Sequence, residues 1–335
     1  MGEKRTVLIT LCHLGTRVTQ YVRRLEAEGF EVRCNPLDRV YTEHELIDAL
    51  PGVFATIAGG EPYTARVFHK AKALRLVARW GVGYDRIDVA AATEHGVMIA
   101  MAFGGNHEAV ADGTLALMLA LSHNLFRHHD RVQKGGWGFE AFPGLWRSTV
   151  GIVGLGRIGK AVARRCRGFE TRILAHDVVV DESVCREMGI ELVPLHTLLQ
   201  QSDFVSLHAP QTPETENLLN RERLALIKPT AYVINTARGA LVDEQALYEA
   251  LVSGRLAGAG IDAFRNEPPV HSPLLQLENV ILSPHSFGNS LKAEAVTADI
   301  CLGAVAAVAR GEMPAKEHVL NPAAAWTGPR DGGDR

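Results

Sequence analysis

Three glycines constrain this chain more than any other feature. They stand at positions 154, 156 and 159 in Thr149-Val150-Gly151-Ile152-Val153-Gly154-Leu155-Gly156-Arg157-Ile158-Gly159-Lys160. The apolar, partly β-branched run Val150–Val153 precedes them, and Ile158, Ala161, Val162 and Phe169 follow at roughly helical spacing, so the stretch reads strand, glycine turn, helix. Gly154 suits a tight turn, Gly156 lets backbone approach a pyrophosphate, and Gly159 lets helix pack on strand. The helix N-terminus adds unpaired N–H groups and a positive dipole end. A glycine turn alone occurs in many α/β folds. Here Arg172–Asp177 reads as a second strand ending in an acid, 18 residues past Gly159, where a ribose-binding carboxylate belongs. The stretch therefore reads as a dinucleotide site.

The rest of the chain is bounded by its composition. A length of 335 residues implies two domains rather than one core. The net charge of −3 gives no pull towards nucleic acid or a membrane surface, and the apolar segment Thr114–Leu121 is far shorter than a span. Cys12, Cys34, Cys166, Cys185 and Cys301 are scattered and odd in number, with no Cys-x-x-Cys spacing. They indicate neither a zinc site nor a disulfide framework, and point to reduced thiols in the cytoplasm. The Gly-, Pro-, Asp- and Arg-rich tail, 323–335, is expected to be disordered.

Residues 1–102 alternate strand signals (Val7–Leu11, Phe30–Cys34, Ala55–Ala58, Leu76–Arg79, Val97–Ala100) with helical ones (Arg17–Glu28, Glu43–Leu50, Thr64–Lys72). That rhythm predicts a parallel sheet covered by helices. Gly81 and Gly83 follow one strand; they form either an anion-binding turn or a plain strand-to-helix turn. Phe103-Gly104-Gly105-Asn106 suits a hinge. A long helix follows, with Val110, Leu115, Leu117, Met118, Leu119, Leu121 and Leu125 over most of its circumference, so it must be buried, in the monomer or against a second subunit. His123, His128 and His129 near its end lack acidic or cysteine company, and no metal site is expected. Trp137, Phe139, Phe142 and Trp146 lie in a loop and either shape the site or pack the loop, packing being the expectation. Phe204–His208, Ala231–Thr236, Ala257–Asp262 and Val280–Leu282 read as later strands, Asp243 as the N-cap of a helix stopping at Gly254, and Leu291–Arg310 as a last helix.

Three residues at the ends of late strands carry candidate chemistry: Arg238, Glu267 and His285. Ligands of open α/β sheets bind off the carboxyl ends of the strands. Hydride transfer to a 2-oxo acid leaves an alkoxide that must be protonated, and imidazolium is a natural donor near neutral pH. A carboxylate beside it fixes the tautomer and favours the charged form. A guanidinium grips a substrate carboxylate in a fork.

These motifs, in this order, resemble the D-2-hydroxyacid dehydrogenase family, in particular its 3-phosphoglycerate dehydrogenase-like branch. The resemblance covers roughly residues 50–322. It rests on Gly81–Asp88, Asn106–Asp112, the glycine loop, Leu207–Thr212, Asn235–Gly239, Asn266–Pro269 and Ser283–His285. It implies an NAD-dependent enzyme that interconverts a small D-2-hydroxy acid and its 2-oxo acid. The implied fold is α/β with two doubly wound parallel-sheet domains: a Rossmann domain (103–290) inserted in a flavodoxin-like substrate domain (1–102 plus 291–322).

By the same resemblance, Arg238, Glu267 and His285 are catalytic. Val82, Gly83 and Asn106, with Arg238 and His285, meet the substrate. Gly154, Gly156, Arg157, Ile158, Gly159, Asp177, His208, Ala209, Pro210, Thr236, Ala237, Arg238, Asp262, His285 and Gly288 meet NAD. The long helix after Asn106 is the usual dimer element, which implies a homodimer. Relatives that handle phosphoglycerate often carry an arginine after the third strand; here that turn is Gly59-Gly60-Glu61-Pro62-Tyr63, with Arg79 and Arg66 as possible substitutes. Glyoxylate or hydroxypyruvate, and a phosphonate or phosphite, are the alternative substrates. An NAD(H)-sensing corepressor is the alternative of another class. Asp177 would repel a 2′-phosphate and so favours NAD over NADP.

Overall fold

The computed structural model describes residues 4–12 and 14–324; from residue 325 on, the expected disordered tail lies outside the described residues. The chain runs β1 (Thr6–Ile9), α1 (Val18–Ala27), β2 (Glu31–Cys34), α2 (Glu43–Ala49), β3 (Val53–Ala58), α3 (Ala65–Lys70), β4 (Leu76–Arg79), α4 (Val89–Glu94) and β5 (Met98–Met101). There follow α5 (His107–Ser122), α6 (Leu125–Gln133), β6 (Thr149–Val153), α7 (Arg157–Cys166), β7 (Arg172–His176), α8 (Glu182–Met188) and β8 (Ile190–Leu192). Then come α9 (Leu195–Gln201), β9 (Phe204–Leu207), α10 (Arg221–Leu224), β10 (Tyr232–Asn235), α11 (Glu244–Val252), β11 (Gly258–Ile261), β12 (Val280–Leu282) and α12 (Leu291–Ala309).

Two compact units result: one from residues up to Asn106 together with those from Leu291 on, the other from His107–Ser290. The first holds a five-stranded parallel sheet in the order β2-β1-β3-β4-β5. The second holds a seven-stranded parallel sheet in the order β12-β11-β10-β9-β6-β7-β8. The two orders are the flavodoxin-like and Rossmann arrangements, and in the second the direction of winding reverses between β6 and β9. The central strands are buried on both faces, as apolar runs in a helix-covered parallel sheet must be.

Local signals start the helices. Thr42 and Glu45 form a capping box on α2, and Thr64, Asp88, Asp181, Asn220 and Asp243 each accept a main-chain N–H at the start of a helix. Each such cap contributes about 1 kcal/mol. The last helix belongs to the first unit: Ala298, Cys301, Leu302 and Val305 of α12 join a core with Ile9, Ile57 and Ala78. Buried Asn321 then stitches the chain beyond it to β5, accepting from Ile99 N–H at 2.8 Å and donating to the Val97 carbonyl at 3.0 Å.

Two expectations change. The long helix after Asn106 is two helices bent by 58°. Asn124 adopts a left-handed conformation (φ 49°), which an asparagine tolerates better than most residues, and the His123 Nδ1 bonds back to the Leu119 carbonyl at 3.0 Å. The apolar part, α5, is buried within its own unit: Ala111, Leu115, Leu117, Met118 and Leu121 pack with Val150, Ile152 and Ile234. Apolar side chains are exposed on α6 and the loop after it. Leu125, Phe126 and Val132 are exposed, and Trp137 and Phe139 are 80% and 93% exposed, so the chain does not pack these two aromatic rings. Glu140 anchors that loop to α6 through Arg131, with Arg127 at 3.6 Å.

Candidate active site

At the end of β6, Gly154 turns the chain with φ 94°, and a Cβ there would stand 2.6 Å from the backbone nitrogen of Ala209. The loop after β6 and the loop after β9 therefore touch at a position that only glycine allows. A Cβ on Gly159 would overlap the Gly154 carbonyl oxygen, so helix α7 lies directly on the turn. Gly156, the N-cap of α7, is different: a Cβ there meets nothing within 4 Å, and no side chain caps the helix. The first and third glycines are needed by the fold, whereas the second borders open space at the N-terminus of α7, which Gly156 has no side chain to cap. This is a fit for a pyrophosphate. Arg157 is exposed at the first turn of α7, and Ile158 packs on the core behind it.

Asp177 follows β7. Its Oδ2 accepts the Leu155 N–H at 2.5 Å and its Oδ1 the Val179 N–H at 3.1 Å. Each carboxylate oxygen keeps a lone pair, so a ribose diol can add to these bonds. After β9, His208 bonds Ser206 through Nε2 at 2.8 Å; burial pushes its pKa down to about 3, so the ring is neutral. Its Nδ1 is buried and has no hydrogen-bond partner among the described residues. Ala209 lies against Gly154, and the Pro210 carbonyl accepts the Thr215 hydroxyl at 2.7 Å. Thr236, after β10, is buried and shares a hydrogen bond of 3.0 Å with Thr114 of α5.

The catalytic candidates stand at the ends of β10, β11 and β12. Asn235 splints the first of them: its side chain accepts from Ala237 N–H at 3.1 Å and donates to the Arg238 carbonyl at 2.9 Å. Glu267 Oε1 accepts the Phe264 N–H at 3.1 Å and lies 2.8 Å from His285 Nδ1. Burial pushes the Glu267 pKa up. The hydrogen bond and charge of His285, the Phe264 N–H and the Arg238 charge outweigh it, holding the carboxyl below its ordinary range. An ionised carboxylate only accepts, so Nδ1 carries the proton of this bond and Nε2 is left to exchange one with a substrate. His285 itself sits at φ 52°, a sparsely populated conformation for a side-chain-bearing residue. Buried Asp262 holds the segment that carries it, accepting from Ser283 Oγ at 2.7 Å and Ser286 N–H at 3.0 Å. Ala237 is half-buried beside Arg238, and Gly288 ends the same segment, half-buried.

Residues 115–286 match the family model described as D-isomer specific 2-hydroxyacid dehydrogenase, NAD binding domain. The chain belongs to this family. It is 43% identical to a glyoxylate reductase of Korarchaeum cryptofilum over 261 residues, 76% of this chain and 79% of that one. It is 38% identical to a D-3-phosphoglycerate dehydrogenase of Methanocaldococcus jannaschii over 284 residues, 84% of this chain and 54% of that one; the chain thus spans about half the length of that relative. Among solved structures, a D-lactate dehydrogenase from Aquifex aeolicus complexed with NAD and lactic acid superposes with a TM-score of 0.84 at 27% identity, covering 94% of this chain and 99% of that one. As a member of this family, the protein is an NAD-dependent 2-hydroxyacid dehydrogenase, an oxidoreductase.

In the dehydrogenase's first unit, the turn after β4 leaves the N–H groups of Val82 and Gly83 without an acceptor among the described residues. Arg79 holds that turn, donating to the carbonyls of Gly83 (3.1 Å), Ala58 (3.3 Å) and Trp80 (2.6 Å). Arg66 lies 3.5 Å from Glu43. The turn after β3 carries Glu61, only 1% exposed; its Oε1 accepts from Thr10 Oγ1 and from Gly59 N–H at 3.0 Å, and its Oε2 has no partner among the described residues. The Oδ1 of Asn106 is likewise buried without a partner.

The sequence alone shows neither the splint made by Asn235 nor the burial of Glu61. Both are polar residues at the carboxyl end of a strand, which is the signal that finds them.

Proposed function

We propose that this dehydrogenase interconverts a small, unphosphorylated D-2-hydroxy acid and its 2-oxo acid, with NAD preferred over NADP. The observation that carries the reading is the Glu267–His285 pair beside Arg238 at the carboxyl ends of neighbouring strands. NAD, when bound, supplies or accepts the hydride. Gly154, Gly156, Arg157, Ile158 and Gly159 hold its pyrophosphate, and Asp177, His208, Ala209, Pro210 and Thr236 its adenosine side. Ala237, Arg238, Asp262, His285 and Gly288 attend the nicotinamide end. His285 Nε2 gives a proton to the substrate oxygen in reduction and takes it back in oxidation. Glu267 keeps the imidazole in the donating tautomer. Arg238 grips and polarises the 2-oxo acid; Val82 and Gly83 offer N–H groups to its carboxylate, and Asn106 stands close to the substrate, where its amide oxygen can accept the hydroxyl of the 2-hydroxy acid.

The substrate class follows from the first unit. One relative is named for glyoxylate and another for 3-phosphoglycerate. A phosphate needs cations and N–H donors. The turn after β3 instead presents buried Glu61, and Arg79 is engaged with three carbonyls. These features favour glyoxylate or hydroxypyruvate over a phosphorylated acid, a phosphonate or phosphite.

The functional unit in this reading is a homodimer in the cytoplasm. Its contact surface is the apolar one on α6 and the loop after it (Leu125, Phe126, Trp137 and Phe139), and the five cysteines are unpaired thiols. The test is oxidation of NADH and NADPH with glyoxylate, hydroxypyruvate and phosphohydroxypyruvate, beside light scattering of the purified protein. Faster turnover of the two unphosphorylated acids with NADH is the expected result. A preference for phosphohydroxypyruvate overturns the substrate reading, and tight NADH binding without turnover of any 2-oxo acid points to the sensor instead.

A further inference from the structure

The loops that carry Arg238 and Glu267 come from different strands, and something must keep them in register. Arg265, two residues before Glu267, spans both. Its guanidinium donates to Glu216 Oε1 at 3.0 Å, to the Asn217 side-chain oxygen, and to the Ala240 carbonyl at 3.2 Å. Asn217 is held in a left-handed conformation (φ 49°) and its own N–H donates to the same Ala240 carbonyl at 2.8 Å. The backbone of Arg265 makes a second contact: a Cβ on Gly239 would overlap the Phe264 carbonyl carbon and the Arg265 nitrogen, so these chains touch immediately after Arg238. The neighbouring Phe264 N–H is the donor that holds Glu267.

We propose that Arg265 is a positioning residue for the hydride-transfer site. It clamps the loop after β11 onto the loop after β10 and onto the 216–217 turn, and so sets the separation between the Arg238 guanidinium and the Glu267–His285 pair. The proposal rests on the roles given to those three residues above. It commits Arg265 to act through them without touching substrate or NAD. The reason a short displacement matters is that the substrate must meet a fork and a proton donor at once, and a shift of about 1 Å at such a site can cost about a hundredfold in rate.

The test compares wild type, Arg265→Ala, Arg265→Lys and His285→Ala in NADH-dependent reduction of whichever of glyoxylate and hydroxypyruvate is turned over faster, across pH. Arg265→Ala is expected to lose about ten- to a hundredfold in kcat/KM. Its KM for the 2-oxo acid should rise, and its activity should fall off at lower pH on the alkaline side, because Glu267 no longer backs His285. NADH affinity, read by fluorescence, should stay at the wild-type value, since the glycine loop is untouched. Arg265→Lys, able to keep one of the contacts, should recover part of the loss. Wild-type kinetics in Arg265→Ala overturns the proposal. So does a loss of rate and of melting temperature with the wild-type pH profile, which is what a merely structural residue would show. If Arg265→Ala does not fold, Glu216→Gln removes one anchor alone and must shift the pH profile in the same direction. Inactive His285→Ala beside wild-type Arg265→Ala sinks the clamp and spares the site assignment; active His285→Ala sinks the site assignment itself.

Discussion

The glycine loop and the catalytic loops belong to the same seven-stranded sheet and are built in opposite ways. The glycine loop is shaped by sterics. Gly154 and Gly159 are positions where a single Cβ would enter neighbouring backbone, and no side chain is needed to hold the turn beyond the carboxylate of Asp177. The catalytic loops are shaped by polar side chains: Asn235 splints Arg238, Asp262 fastens the segment of His285, and the Phe264 N–H and His285 pin Glu267. Steric shaping shows in sequence as glycine alone, whether the clash is near in the chain, as between Gly159 and Gly154, or across strands, as between Gly154 and Ala209. Electrostatic shaping needs a matched pair of groups, some three residues apart, as Asn235 and Arg238 or Phe264 and Glu267, and some 18 or 21 apart, as Glu267 and His285 or Asp262 and Ser283. The two designs should therefore fail differently.

Glu267→Gln is expected to have the largest effect. The amide is nearly the same size, so the fold survives, but it carries no charge to support an imidazolium. Reductive kcat/KM at neutral pH should drop by about 10²-fold, and its alkaline fall should set in at lower pH. A wild-type pH–rate profile would break the comparison at its catalytic end. Stability should change with the opposite sign of pH. The Glu267 carboxyl is held below its ordinary range in the folded protein, so it contributes stability above the unfolded value of about 4.3, lost as pH falls through the folded one. Acid unfolding of the variant, followed by circular dichroism, should lack that component.

Gly159→Ala is expected to act on the fold. Its Cβ would overlap the Gly154 carbonyl oxygen, and overpacking of this kind costs about 1–3 kcal/mol. Melting temperature and NADH binding should fall together, while the pH dependence of the residual activity keeps its wild-type form. An unchanged melting temperature would show that the loop gives way easily, and steric shaping would not be its design.

Asp177→Ala sharpens the same end with a smaller change. It removes the acceptor of the Leu155 and Val179 N–H groups. Losing a hydrogen bond to a charged group costs roughly 1.5–3 kcal/mol. The variant should bind NADH about tenfold more weakly, at the low end of that cost, and discriminate less against NADPH. An unchanged ratio of kcat/KM for the two cofactors would remove Asp177 from cofactor choice.

Much of the architecture was legible before the structure. The strands alternate with helices where buried apolar runs alternate with amphipathic ones, and β4 spans Leu76–Arg79, the limits its apolar run suggests. The N-cap role of Asp243 and the end of its helix before Gly254 follow from side-chain chemistry at each terminus. What was not legible depends on a conformation or an exposure. The helix after Asn106 breaks because Asn124 takes a left-handed conformation, and periodicity does not register a single φ. Trp137 and Phe139 stand out from the chain, whereas composition alone would bury them. The elements α8, β8, α9 and α10 run to only seven, three, seven and four residues, too few for a period to stand out in the sequence.

The sequence by itself determined the family and the dinucleotide loop, and it named Arg238, Glu267 and His285 as the candidate reacting side chains. Those depend on local sterics and residue chemistry, which neighbours along the chain are enough to specify. Only the tertiary structure decided that Glu267 Oε1 meets His285 Nδ1, that Arg79 is engaged with three carbonyls, that Glu61 is buried, and that Arg265 bridges the loops after β10 and β11. The physical reason is that a hydrogen bond depends on distances of tenths of an ångström between groups brought together by strand order. A linear sequence holds the groups without holding that separation.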